Sequence, residues 1–368
     1  MVTKPLGVGE PAPWFKGAAL GGNPRYVFDT TAGRWIVMLL LGNTAGAEQR
    51  AALALVGAHR SLFDDDHACF FGVSVDPADA AAGRIAQELP GIRWFLDYDG
   101  AISEAYGALA RDRGKAAYTP HWLLLDPMLR VRDAAALTDG ERIMAQLRDR
   151  LAAATEVSTA PALVVPGVLS PETCRQLIEG YERNGGSDSG FMRDENGITV
   201  LKVDHAFKRR SDWSIDDPAL VESVKAQVGR SLVPMIRRAF QFTVTRAERW
   251  IVARYDSGEG GYFRPHRDNT TAGTAHRRFA CTINLNAEDY DGGDLRFPEF
   301  GQRAYRAPTG GAVVFSCSLL HEALPVTRGQ RYATLPFLYD DEGARIRERN
   351  LGKVSEEFRQ YASGLTDD

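Results

Sequence analysis

Two short and almost unbroken apolar runs, RWIVMLLL at 34–41 and ACFFGVSV at 68–75, restrict the first half of this chain more than any other feature. An apolar run without alternation marks a strand covered on both faces, the kind found in α/β sheets with crossover helices. Between them, residues 45–63 carry alanine and leucine at helical spacing. The alternation continues with a helix predicted over 77–89, a strand over 93–96, a helix over 101–109 and a strand over 121–126. A turn at Asp126-Pro127 leads to a strand near 129–134, and a closing helix is predicted over 141–153. This order argues for an open sheet with crossover helices.

The second half is different. LVVPGVLSPETCRQLIEGYERNG reads as a short strand, a proline-started helix with Ser170 as N-cap, and a glycine stop. Residues 184–196 (NGGSDSGFMRDEN) read as a mobile loop. Residues 216–240 form a long helical stretch with an apolar face at Leu220, Val221, Val224, Val228, Leu232 and Ile236, which Pro234 should kink or break. From 249 to 340 the chain reads as strands separated by glycine-rich turns. Helices followed by a block of strands point to an α+β layout, with helices backing one sheet of a double-sheeted barrel. The joint is AAATEVSTAP at 152–161, small, polar and ended by proline, which puts the boundary near 157 and the domains at 1–156 and 157–368.

A length of 368 residues agrees with two domains, and 44% hydrophobic with 25% charged residues is ordinary for a folded chain. A net charge of −4 gives no global attraction to phosphate backbones or anionic membranes, so neither nucleic acid nor membrane is expected as a partner. The longest apolar stretch, 35–41, is far short of a bilayer span, and residues 1–10 lack the apolar core of a secretory signal. Cys69, Cys174, Cys281 and Cys317 show neither a CxxC pair nor zinc spacing, as expected of reduced, buried thiols in a cytoplasmic protein.

The chemistry concentrates in the strand block. His266 and Asp268 lie two apart, so on a strand both point to one side while Arg267 points away. His321 follows 55 residues later, after the apolar run AVVFSCSLL, which would place it at the end of a buried strand. Two histidines and one carboxylate can hold Fe(II) on one face of an octahedron and leave the opposite positions open. Arg331, ten residues beyond His321 on an apparent neighbouring strand, offers a guanidinium to an acid. Arg328 competes for that role, but Thr327-Arg328-Gly329 reads as a turn that leaves it solvated. Together these residues suggest an oxygenase using iron and a dicarboxylate cosubstrate.

Three passages carry a family resemblance: RYDSGEGGYFRPHRD at 254–268, TINLNAEDYDGGDLRFPEFG at 282–301, and PTGGAVVFSCSLLHEALPVTRGQRYATLPFLY at 308–339. They contain a YxxG lead-in, a GG-x-L-x-F hairpin and an H-E-x-x-P-V-x-x-G-x-R ending, and over 164–340 the chain resembles the Fe(II)/2-oxoglutarate-dependent oxygenases of the prolyl 4-hydroxylase type. The resemblance implies a double-stranded β-helix of the jelly-roll or cupin kind, backed by helices. It implies His266, Asp268 and His321 as iron ligands, Arg331 as the partner of the 2-oxoglutarate C5 carboxylate, and Tyr255 as a helper at the same carboxylate. Dioxygen is the co-reactant and ascorbate a supporting reductant. The implied activity is hydroxylation of an amino-acid residue or amino-acid-derived substrate, free or in a peptide, with release of succinate and carbon dioxide. A tailoring oxygenase of small biosynthetic molecules is the alternative, and a non-catalytic binding protein with a redoxin-like docking module is the alternative of another class. Substrate contacts are expected from Arg193, His205, Arg209, Arg210 and Trp213, and from the small, flexible stretch NTTAGTAHRR at 269–278.

The first half resembles the peroxiredoxin and thioredoxin-like domains through GEPAPWF at 9–15, WIVMLLLG at 35–42, SVDP at 74–77 and Thr119-Pro120 ahead of LLLDPMLRV. In that family a cysteine begins the helix after the central strand; here the stretch is Gly42, Asn43, Thr44, Ala45, Gly46, without sulfur. The resemblance therefore implies a thioredoxin-like domain that is not redox active and serves docking or packing, with Thr119-Pro120 expected in cis.

Overall fold

The computed structural model describes residues 5–112, 115–153 and 158–363, with the side chains of 360–363 outside the description. The expected boundary at 156/157 lies outside the described residues. The chain divides into two compact units, Met1–Ser158 with Pro298–Gly301, and Thr159–Phe297 with Gln302–Asp368. Among the described residues no helix is long and apolar enough to cross a membrane.

The first unit is built on β1 (Trp35–Gly42), α1 (Ala47–Ala58), β2 (Ala68–Ser74), β3 (Ile92–Leu96), β4 (His121–Leu125), β5 (Val131–Ala136) and α2 (Gly140–Ala152). The sheet order is β3-β2-β1-β4-β5, with β1, β2 and β3 parallel and the last two strands antiparallel. Both faces are covered, which is why β1 and β2 read as continuous apolar runs. Val37, Leu39 and Leu41 pack with Val56, Ile143 and Leu147 of the helices. On the other face Phe28, Phe71, Phe95 and Tyr106 form an aromatic cluster, with Phe71 and Phe95 stacked at 5.2 Å. This is a thioredoxin-like layout.

Three local expectations are corrected. The helix over 77–89 is only Pro77–Ala81, because the chain takes a left-handed turn at Gly83 (φ 64°). The helix over 101–109 stops at Ala105, Gly107 turns at φ 74°, and Leu109–Asp112 pairs with Lys115–Tyr118 as a hairpin. Thr119-Pro120 is trans; the cis peptide bond among the described residues is Leu89-Pro90. Where a family cysteine would be expected, Thr44 closes the space: its hydroxyl donates to Asp79 Oδ1 at 2.5 Å and accepts from Arg84 Nε at 2.7 Å.

In the second unit the elements that place the site are β6 (Leu163–Val165), α3 (Pro171–Asn184), β7 (Ser187–Asp188), β8 (Phe191–Glu195), β9 (Ile198–Lys202), β10 (Lys208–Arg209), β11 (Ser211–Ser214), α4 (Pro218–Ser231), α5 (Val233–Phe240), β12 (Ile251–Asp256), β13 (Tyr262–His266), β14 (Phe279–Asn284), β15 (Leu295–Arg296), β16 (Ala304–Tyr305), β17 (Ala312–Ser316), β18 (His321–Ala323), β19 (Gln330–Thr334) and β20 (Phe337–Tyr339). A nine-stranded sheet runs β6-β17-β14-β19-β12-β11-β7, with β20 and Arg246–Glu248 off its path. A five-stranded sheet runs β10-β13-β18-β15-β16. These are the two sheets expected of a double-sheeted fold backed by helices; among the described residues no strand pairing closes them into one continuous barrel. The chain passes from one sheet to the other through turns such as 317–320, where the ladder is interrupted.

Strand alternation assigns the faces. Val252, Ile283, Val314 and Tyr332 point to a core shared with Leu177 of α3 and Val224 of α4. Ile251, Ala253 and Tyr255 point the other way, onto Phe263, Ala323 and Val326. Pro234 breaks the long helix rather than bending it: α4 ends at Ser231 and Pro234 lies in the first turn of α5, where a missing N–H costs nothing. The expected loop over 184–196 contains β7 and the first strand of the hairpin β8–β9, which turns at Asn196 (φ 50°) and Gly197 (φ 82°).

Two outcomes follow from the packing. Gly180 of α3 faces Trp213, and an added Cβ would lie 2.5 Å from Trp213 Cη2. Gly180→Ala should destabilise the protein by about 1–3 kcal/mol, the cost of overpacking, read as a lower urea midpoint. All four cysteines are buried, and burial pushes the Cys69 thiol up to about 12. Native protein should therefore leave all four thiols unreactive towards Ellman's reagent at pH 8, and denaturant should release them.

Candidate metal centre

The antiparallel contact between β13 and β18 sets His266 directly opposite His321, after a register irregularity that follows Phe263↔Ala323. The two imidazole centroids are 4.3 Å apart. The sequence reading put Asp268 on the strand and His321 at the end of one; both placements are corrected. β13 ends at His266, and Asp268 stands on the following turn, where its N–H donates to Cys317 O at 2.9 Å. His321 opens β18 after the turn that leaves β17. Two turns therefore converge on one strand pair. His266 Nε2 lies 3.6 Å from Asp268 Oδ1, and His321 Nε2 lies 3.3 Å from Asp268 Oδ2. One ligand atom from each residue falls within 4.8 Å of the others. Arg267 is buried and donates to Ser318 O.

Each imidazole is oriented by the backbone two residues before it. His266 Nδ1 is 2.7 Å from Arg264 O, and His321 Nδ1 is 3.0 Å from Leu319 O. A carbonyl can only accept, so each Nδ1 carries the proton and each Nε2 presents a lone pair. Phe263 stacks on His266 at 3.5 Å, and Phe315 lies 4.5 Å from His321. Burial, reinforced by the neighbouring His321, pushes the His266 imidazole down to about 4, so it is neutral near pH 7. Burial alone would raise the Asp268 carboxyl; His321 and His266 outweigh it and hold the group ionised, well below the usual carboxylate range. Two imidazole nitrogens and one carboxylate, all oriented, fit a divalent ion such as Fe(II).

The opposite wall carries the arginine. Tyr255 on β12 and Arg331 on β19 are register partners, and alternation turns both towards the cavity that His266, Asp268 and His321 line. The Arg331 guanidinium carbon is 5.0 Å from the Tyr255 ring centroid. Arg331 is 2% exposed, and its Nε and Nη1 have no hydrogen-bond partner. Buried unpaired donors are costly, and a carboxylate is a ligand that engages such a donor with a charge-assisted hydrogen bond. A 2-oxo diacid fits this donor set, one end towards the metal ligands and the other on Arg331. The Tyr255 hydroxyl accepts from Arg210 Nη1 at 3.3 Å.

Of the expected substrate contacts, Arg210 lines this cavity and the others do not. Trp213 is buried against Gly180 in the helix-side core, because alternation along β11 turns it there. Arg209 is exposed and donates to His205 O and Glu259 O. His205 is exposed beside Asp188, and Arg193 lies on the hairpin strand β8. The stretch 269–278 is buried rather than flexible: Thr274 and His276 are 2% exposed, and Glu248 holds His276 at 3.0 Å and Arg277 at 2.7 Å. Arg328 is exposed on a short strand, paired with Asp291 at 2.6 Å.

Sequence reasoning missed a polar group on the cavity wall. Arg210 and Arg249 line it, and both donate to Asp212 Oδ2, at 2.7 and 2.8 Å. Lys208 is buried alongside, its Nζ donating to Ser189 Oγ and Gly190 O at 2.6 Å each. Burial and the neighbouring Arg210 lower its amine well below the ordinary lysine range. The dense charge of KRRSD at 208–212 within a strand-forming context was the available signal.

Comparison with known proteins is consistent with this site. The family model described as 2OG-Fe(II) oxygenase superfamily matches residues 250–339, and the one described as Phytanoyl-CoA dioxygenase (PhyH) matches 162–293. A PKHD-type hydroxylase of Paracoccus denitrificans (strain Pd 1222) is 31% identical over 187 residues, covering 47% of this chain and 75% of the relative. Among solved structures, a prolyl hydroxylase from Trichoplax adhaerens, in complex with a hypoxia inducible factor oxygen degradation domain peptide fragment, aligns at 16% identity with a TM-score of 0.41, covering 57% of this chain and 94% of that one. The bacterioferritin comigratory protein of Xanthomonas campestris aligns at 21% identity with a TM-score of 0.32, covering 39% of this chain and 96% of that one.

His266→Ala, Asp268→Ala and His321→Ala should each weaken Mn(II) binding, measured by titration calorimetry, by more than the roughly 10–100-fold typical of losing an outer-shell partner. Metal affinity unchanged in any one of the three would remove that residue from the ligand set.

Proposed function

This chain belongs to the 2OG-Fe(II) oxygenase family, and from that premise we propose that it hydroxylates an amino-acid residue or an amino-acid-derived substrate, releasing succinate and carbon dioxide. It is an oxidoreductase of the dioxygenase kind. The observation that carries the reading is the joint presence, around one cavity, of the His266, Asp268 and His321 ligand atoms and of an Arg331 guanidinium with unpaired donors.

In this reading His266, Asp268 and His321 would hold Fe(II), and Arg331 would fix the far carboxylate of 2-oxoglutarate. The bound iron supplies activation of dioxygen coupled to oxidative decarboxylation of that cosubstrate. The protein supplies position. Arg264 O and Leu319 O hold the imidazole protons on Nδ1, which keeps both Nε2 atoms available. Tyr255 buttresses the Arg331 guanidinium through its ring face, and Arg210 holds the Tyr255 hydroxyl in place. Phe263, Phe315, Leu295 and Ala323 make the surroundings apolar, which strengthens each charged contact and keeps bulk water out.

Ascorbate would support activity as a reductant. The first unit, without a thiol at the family position, would act as a docking or packing module. These parts of the reading are supported by sequence resemblance and by the fully engaged Thr44.

The direct test is succinate release by full-length protein with Fe(II), 2-oxoglutarate and ascorbate, screened against peptides and metabolite pools. Absence of both iron binding and 2-oxoglutarate turnover would overturn the reading. Arg331→Ala should raise the KM for 2-oxoglutarate, since charge-assisted hydrogen bonds contribute about 1.5–3 kcal/mol, or roughly 10- to 150-fold in affinity. A KM within about two-fold of the wild type, far inside that range, would exclude Arg331 from the cosubstrate site.

A further inference from the structure

The cavity holds more positive charge than the metal and the cosubstrate use, and this inference rests on the oxygenase reading above. Fe(II) and Arg331 bring three positive charges, and Asp268 and the 2-oxoglutarate dianion bring three negative ones. That half of the cavity is neutral when loaded. The remaining charged groups on its wall are Arg210 and Arg249, and Asp212 is the carboxylate they share. Two guanidinium groups on one carboxylate leave a positive charge over. Lys208, when protonated, adds to that excess and never reduces it.

Three further observations point to a ligand. The Arg210 side chain is 2% exposed, and its Nε has no hydrogen-bond partner. Arg249 holds φ 74°, a left-handed conformation that a bulky residue rarely adopts and that glycine or asparagine would take without strain. A long cationic side chain is thus held at the cavity wall against the local backbone preference. Finally, the neighbouring wall offers no second acid: Arg249 Cζ lies 5.7 Å from the Phe337 ring centroid, and Leu335, Phe315 and Ala280 complete that side.

We propose that Arg210 and Arg249 form a second anion site, which takes a carboxylate borne by the substrate. The enzyme then acts on a carboxylate-bearing amino acid or amino-acid derivative rather than on an internal residue of a neutral peptide stretch. A guanidinium matches a carboxylate in plane and charge, and the apolar surroundings exclude a loosely bound hydrated ion as the stable partner. Asp212 is the positioning residue: it keeps the two guanidinium groups together in spite of their mutual repulsion.

The test uses full-length protein loaded with Mn(II), which replaces iron without turnover, and saturated with 2-oxoglutarate. Acetate and acetamide, matched in shape and differing in charge, are titrated by calorimetry. Acetate should bind at least about ten-fold more tightly than acetamide, the size of one charge-assisted hydrogen bond. R249Q and R210Q should each erase that preference. R249K and R210K, which keep the charge without the planar fork, should retain part of it, and they serve if a glutamine variant fails to fold. Acetate binding no better than acetamide, or an acetate preference that survives in both glutamine variants, overturns the proposal. If 2-oxoglutarate itself does not bind the Mn(II) protein, the oxygenase reading fails first and this inference with it. If 2-oxoglutarate binds and acetate is not preferred, the inference alone fails.

Discussion

The second unit depends on one antiparallel contact, the pairing of Tyr262–His266 with His321–Ala323. That pairing sets two imidazoles 4.3 Å apart with their planes tilted by 50°, a distance at which two protonated rings would repel. Burial keeps His266 neutral near pH 7, and each ring commits its Nδ1 proton to the backbone carbonyl two residues upstream. The carboxylate then comes from the turn just after one strand, and the second histidine from the residue just after the other turn. Strand ends can bring three ligands to a point because their backbone is not obliged to continue the ladder. The same ends would be poor places for packing residues.

A polar group inside a protein is normally paired, so the unpaired ones mark where something else is expected. Arg331 Nε and Nη1 and Arg210 Nε stand among the buried unpaired atoms, and both residues line the cavity. The helix-side face of the large sheet carries polar groups of its own. There Tyr332 donates to Glu182 and Tyr181 engages Ser211, while Arg254 Nε and Thr334 Oγ1 are left without a partner. What distinguishes the other face is that its unpaired guanidinium atoms belong to residues lining a cavity. Alternation along β19 separates the two by a single residue, Arg331 from Tyr332.

How much of this was legible in the sequence follows from which interactions are local. The strands β1 and β2 could be read because burial on both faces is written as a continuous apolar run. The metal ligands could be read because their types are chemically demanding, two of them stand two residues apart, and the third follows a continuous apolar run. Helix ends in the first unit were misread where a glycine with positive φ, at 83 and 107, ended a pattern that alanines would have continued. Trp213 was misassigned because a strand one residue out of phase exchanges cavity for core, and sequence alone does not fix that phase. The group Arg210, Asp212 and Arg249 escaped because its third member lies 37 positions from the carboxylate it binds.

The two units treat their most reactive position in opposite ways. In the first, the loop that precedes α1 is occupied by a network with no opening: Asp79 accepts from Thr44, Ser74 and Arg84, and its carboxylate is fully buried. Burial raises that carboxyl, but the hydrogen bonds from Thr44, Ser74 and Arg84 prevail and keep it ionised below its ordinary range. Such a network occupies the Asp79 carboxylate and the Thr44 hydroxyl within the chain. In the second, the oriented imidazoles, the unpaired guanidinium atoms and the strained Arg249 all store unmet interactions that a metal, a diacid and an anionic substrate group can satisfy. The metal-ligating residues and the unpaired guanidinium groups around one cavity therefore all belong to the second unit.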